Sequence, residues 1–136
     1  MINEEDRKEL IEYRYSQSKE AILEVQKLID NDLLKIAVYR IYYGMFYTLT
    51  ALALKYNFQS SKHLQLIGWF NKNFVKENLI SHKYGKILRE AFKNRMDGDY
   101  APYIEFTKED TLELYAYMKD FINEVGKLLK KDKAME

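Results

Sequence analysis

The chain has 136 residues and among them no cysteine, a single proline and only five glycines. Without cysteine there is no disulfide framework, no thiolate metal site and no cysteine nucleophile, which fits a reducing compartment. With so little proline and glycine, few positions interrupt a helix, and long helices are expected. No apolar run approaches the roughly 18 residues of a membrane span. The opening MINEEDRKEL is acidic and lacks the basic-then-apolar order of a secretory leader, so the expected location is the cytoplasm. Charge of one sign is also missing: 22 basic against 21 acidic residues leave +1, so no global field recruits nucleic acid. There is no Gly-rich phosphate loop, GxSxG elbow or paired-carboxylate motif. The two histidines, His63 and His82, do not have metal-site spacing. Neither a metal nor a cofactor is expected.

What is present is apolar and charged in globular proportion, 47% and 32%, at a length that suits one domain. Twelve tyrosines supply rings with an apolar body and a polar tip, suited to half-buried seams and subunit interfaces. Helical spacing runs from about 4 to 30, with Ile11, Tyr15, Ile22, Val25 and Ile29 on one stripe and Ser18 in register. Asp30-Asn31-Asp32 breaks it and is expected to cap a second helix, about 33 to 56, whose apolar surface is wide enough for the bundle centre. Small residues Ala37, Gly44 and Ala51 recur there every seventh position and admit a close neighbour. Ser60-Ser61 is expected to cap a helix at about 62 to 76 and Ser81 another at about 82 to 97. Gly98 is expected as a C-terminal cap and Pro102 as a stop. Thr107 with Asp110 reads as a capping box for a last helix, about 108 to 131, burying Leu112, Tyr115, Met118, Ile122, Val125 and Leu129. The tail KKDKAME is expected to fray. The fold class is all-α, an antiparallel bundle of four to five helices.

Some charged residues break or frame this pattern. Arg40 lies on the small-residue stripe of the second helix, and Arg95 ends the apolar stripe Tyr84, Leu88, Ala91 of the fourth. A guanidinium keeps its proton, so a buried one requires acceptors; Asp97, Asp99 and tyrosine hydroxyls are nearest in sequence. Either each arginine pairs or snorkels to fix the bundle, or Arg95 faces a cleft and holds a phosphate in its planar fork. On the other side of the fourth helix His82, Lys86, Arg89 and Lys93 form a basic stripe. Such a stripe is a solvated face or a track for a nucleic-acid backbone.

Three stretches together resemble the HEPN domain family: Ala37 to Phe46, Lys62-His63 with Phe70 and Phe74-Val75-Lys76, and Ala91 through Arg95 to Gly98-Asp99-Tyr100. The resemblance implies a four- or five-helix bundle that commonly dimerises. It also implies a toxin–antitoxin type of pairing with a minimal nucleotidyltransferase. Catalytic members are metal-independent ribonucleases with an Arg-x(4–6)-His motif, in which the arginine steadies the scissile phosphate and the histidine moves protons. Here Arg95 matches the motif arginine, but Tyr100 stands where a four-residue gap would place the histidine, and Met96 stands where active members often carry a polar residue. A phenol of pKa about 10 is a poor proton acceptor near neutral pH.

The sequence therefore favours a non-catalytic, homodimeric interaction module. It would bind a partner protein, or an RNA or nucleotide phosphate through Arg95, Asp99, Tyr100, Arg40 and Lys93. One alternative is a metal-independent ribonuclease using Arg95, Asp99 and Tyr100, with His63 supplying the imidazole. The other is a purely structural helical dimer.

Overall fold

Asn3 accepts a hydrogen bond from the backbone N–H of Asp6, 2.8 Å away, and starts the first helix, α1 (Glu4–Asp30). The computed structural model describes residues 2–100 and 104–131, the side chains of Asp99 and Tyr100 excepted. Four further helices follow: α2 (Leu34–Lys55), α3 (His63–Phe70), α4 (His82–Tyr100) and α5 (Lys108–Lys130). A π turn, Asn71–Val75, extends α3. The elements form an all-α antiparallel bundle in which α2 packs against each of the other four helices. Among the described residues no helix is long and apolar enough to cross a membrane.

The seventh-position stripe of α2 does what its small residues allow. A Cβ added at Gly44 would lie 2.3 Å from Met118 Cε and 3.1 Å from Ala21 Cβ, so α1 and α5 both close on the α2 backbone there. Ser18 Oγ donates to the Gly44 carbonyl at 2.8 Å, and Thr48 Oγ1 donates to Ser18 Oγ at 2.6 Å. This satisfies the buried hydroxyls across the α1–α2 seam. Tyr42, Met45, Leu49, Phe70, Leu88 and Phe121 fill the core with essentially no exposure. At the far end of α5, Lys55 Nζ donates to the Leu128 carbonyl at 2.8 Å and to that of Leu129 at 3.4 Å, capping carbonyls that have no partner within the helix.

Several local expectations are corrected. None of Asp30, Asn31 and Asp32 caps α2. Asn31 Nδ2 instead donates to Lys27 O and closes α1, and Asp32 turns the chain in the left-handed region at φ 56°. Ser60 and Ser61 do not cap α3, whose N-cap is Lys62; the Ser60 hydroxyl accepts from the Lys62 N–H instead. The helix expected as one piece over 62–76 changes to a π turn at Asn71, and the wider turn lets Phe74 and Val75 both face inward. Gly98 does not cap α4: the helix continues to Tyr100, and a Cβ on Gly98 would meet the Tyr39 ring at 2.8 Å. Close ring packing, rather than backbone freedom, is what requires glycine there. Leu112 is 44% exposed, because Thr111, Tyr115, Met118 and Ile122 take the inward face at helical spacing. Thr107 does cap α5, accepting from the Asp110 N–H at 3.0 Å. Pro102 and the tail after Lys131 lie outside the described residues.

Candidate functional site

Helix α2 sets three aromatic rings where α3 begins, and α4 adds a fourth. Tyr42 is fully buried and meets Tyr43 edge-on at 5.4 Å, Phe46 at 5.9 Å and Phe92 of α4 at 5.6 Å. Such edge and tilted contacts are the preferred geometry of aromatic pairs. Into this cluster the first residue of α3, His63, inserts its imidazole. The ring stacks on Phe46 with centroids 4.0 Å apart and planes 16° from parallel, and its Nδ1 is 2.7 Å from the Tyr42 hydroxyl. His63 is half-buried at the start of α3, and its partners orient the ring as well as pack it.

Arg95, one helical turn beyond Ala91 on the inward stripe of α4, is half-buried. Its guanidinium carbon lies 5.3 Å from the centre of the Tyr43 ring, a cation–π contact. Tyr43 also meets His63 edge-on at 6.1 Å. The same positive charge is felt by both ionisable neighbours. Burial, and then the Arg95 charge, pushes the His63 pKa below its ordinary 6.5. Burial raises the Tyr42 phenol well above its ordinary value, with Arg95 opposing the rise. Near neutral pH the site therefore holds a permanent cation, a neutral imidazole and a protonated phenol. With Nδ1 engaged by Tyr42, Nε2 is the ring atom left for a ligand.

The other residues expected at the site distribute differently. His63 and Arg95 come together, although 32 positions separate them. Arg40 is held at the α1–α2 seam by Glu24, Nη2 to Oε1 2.6 Å. Burial works against its charge there, and Glu24 and Tyr47 more than offset it. Lys93 is exposed on the outward stripe of α4, about 200° around the axis from Arg95, so it belongs to another surface. Asp99 and Tyr100 fall in the last turn of α4, and their side chains lie outside the described residues. Tyr42 and Phe46 were not expected at the site. Their one signal is the i, i+4 aromatic pair of α2, which places both rings on one face.

The HEPN domain family model matches residues 11–129, and the chain belongs to that family. Similar proteins include the UPF0332 protein of Thermotoga maritima, 32% identical over 124 residues that cover 91% of this chain and 94% of that protein. A protein of Methanocaldococcus jannaschii with the name "Putative toxin MJ0142" is 30% identical, covering 90% of this chain and 89% of its own length. A second from that organism, "Putative toxin MJ0605", is 29% identical with 96% of each chain covered.

Proposed function

We propose that this chain is the toxin-type member of a two-protein system, a homodimer that binds an RNA or nucleotide phosphate at Arg95 and is held in check by a partner protein. The class of partner that the family resemblance suggests is a minimal nucleotidyltransferase. The observation that carries the reading is the half-buried Arg95 guanidinium over Tyr43, sharing an aromatic pocket with His63. A guanidinium forks onto phosphate oxygens with directed, charge-assisted bonds. A neutral imidazole beside it adds a hydrogen-bonding group without a second positive charge. The toxin names of two relatives support the same reading.

The test is binding of an unstructured, fluorescein-labelled oligoribonucleotide to the pure chain and to Arg95→Ala, with folding followed by circular dichroism. Weaker RNA binding by a folded Arg95→Ala supports the reading. Equal binding by both proteins removes it. Sedimentation at several concentrations tests the dimer, and co-expression with a minimal nucleotidyltransferase tests the partner.

The second reading is a metal-independent ribonuclease, and the specific observation that favours it is His63 within the field of Arg95. The non-catalytic expectation rested on Arg95 having no imidazole nearby, and His63 supplies one. In the tautomer whose Nδ1–H donates to the Tyr42 oxygen, Nε2 accepts the proton of a ribose 2′-hydroxyl. The 2′-oxygen then bonds to phosphorus, the bond to the 5′-oxygen breaks, and that oxygen takes up a proton. Arg95 carries the charge gathered on the phosphoryl oxygens. Cleavage under excess chelator that leaves 2′,3′-cyclic phosphate ends, and that is lost in both Arg95→Ala and His63→Ala, is the expected signature. Cleavage unchanged by His63→Ala, or no cleavage at all, sets this second reading aside.

A further inference from the structure

The outward face of α4 and the π turn enclose a pocket of about 480 Å³ that the Arg95 site does not use. Its cations are Lys72 and Lys76 at the π turn and Lys86 and Arg89 on α4, with His82 at the rim, and no carboxylate lines it. Arg40, Lys83 and Lys127 each hold an acid, Glu24, Asp120 and Glu124 respectively, while other exposed lysines such as Lys35 and Lys62 are in no ion pair among the described residues. The four cations of the pocket are in no ion pair among the described residues. Like charges gathered round a concavity, with no acid among them, focus a positive potential into it.

Two uncharged features at the same place point to an occupant. A Cβ added at Gly68 would meet nothing within 4 Å. A glycine inside a helix weakens it relative to alanine, and here no packed neighbour requires one; what its missing side chain does is keep the pocket wall open to close approach. Asn71, the first residue of the π turn, also lines the pocket. Its amide oxygen is buried and is the side-chain atom among the described residues that lacks a hydrogen-bond partner in the interior. The NH2 group has no acceptor among the described residues, so it can donate to an occupant; the amide oxygen is an acceptor and does not itself call for an anion.

We infer that this pocket docks the phosphates of a single-stranded RNA backbone, on the face of α4 turned away from Arg95. A preference for a polyanion follows from the pocket itself; the choice of RNA rests on the phosphate-binding reading of Arg95. Lys86, Arg89 and Lys93 climb α4 in a row about 10 Å long, the span of roughly three nucleotides in a stacked strand. The lining offers a lipid surface or a peptide little apolar anchorage, since among its side chains only Val75 is aliphatic. Phosphate contacts of this kind position a strand without reading its sequence, so the pocket recruits RNA and leaves chemistry to the other face.

The test is fluorescence anisotropy with a labelled twelve-residue oligouridylate on the full chain, across a salt series. The exposed double variant Lys86→Gln/Arg89→Gln removes two phosphate contacts. Its affinity should fall about tenfold, and the slope of log affinity on log salt should flatten by about 1.4. Gly68→Glu, a second exposed change, should weaken binding at least as much by filling and charging the pocket. Unchanged affinity and slope in both folded variants would overturn the proposal. So would an RNA affinity that survives while binding to poly-glutamate, or to vesicles of 30% phosphatidylglycerol in phosphatidylcholine, is lost. Arg95→Ala separates the two sites. Loss only in the α4 variants keeps this pocket and refutes the Arg95 reading, and loss only in Arg95→Ala does the reverse.

Discussion

The Tyr42 hydroxyl stands 2.7 Å from Nδ1 of His63, and this contact ties the buried centre of α2 to the first residue of α3. Tyr42 has no exposure and its phenol is held protonated. It can therefore fix the orientation of an imidazole that itself reaches solvent. The ring orientation of His63 is thus set by a hydrogen bond as well as by packing.

His63 should titrate below 6.5 in the folded chain, because burial and the Arg95 charge both disfavour the imidazolium. Between that lowered value and about 6.5 the unfolded chain binds more protons. Stability should therefore rise with pH across this window and level off above it. NMR titration of the His63 ring and urea melts at a series of pH values test both statements. Arg95→Met should move the ring's midpoint upward, and His63→Asn should flatten the melts. A His63 midpoint above 6.5 would contradict the electrostatic picture.

Lys55→Met should destabilise the chain by about 1.5–3 kcal/mol, the cost of removing charged hydrogen bonds from helix-end carbonyls. Its Nζ serves the carbonyls of Leu128, Leu129 and Lys131. Hydrogen exchange should show the loss concentrated in the last turn of α5. A uniform loss across the bundle would point to some other role.

Glu24→Gln should cost under about 1 kcal/mol, although its ion pair with Arg40 is short. Both partners reach solvent, and the gain from pairing is offset by ordering two long side chains. Thermal melts at low and high salt should bring the variant and the parent together as salt rises.

Gly44→Ala should cost about 1–3 kcal/mol through overpacking. The new methyl would collide with Met118 Cε, which can swing away, and would press on Ala21 Cβ, which cannot move without its helix. Equilibrium unfolding in urea measures the loss, and an unchanged midpoint would show that α1 and α2 are looser here than described.

Periodicity foretold α1, α2 and α5 within one or two residues at their ends, because each has a long apolar stripe; the Lys55 cap on the end of α5 carried no such signal. Ser18 and the Ala37, Gly44, Ala51 stripe were legible for the same reason. Gly98 was misread because its environment, the Tyr39 ring, comes from α2, and a glycine near a helix end is indistinguishable by spacing from a cap. The π turn left no local signal: Phe74 fits the α-helical stripe through Phe70, and the burial of Val75 beside it appears only in the fold. The arginine of the site was visible as a charge on an apolar stripe. Its nearness to His63 was not, since that depends on how α3 and α4 meet across Tyr42 and Tyr43.

The cations around Gly68 and Asn71 have a consequence at long range. The whole chain carries only +1, so an uncompensated positive pocket leaves the rest of the molecule net acidic. The pocket is thus a positive patch on a molecule with almost no monopole. An approaching polyanion experiences a torque before any appreciable pull, and collisions become biased toward the π-turn side. Such orientational guidance acts on the rate of encounter and fades as ions shorten the reach of the field.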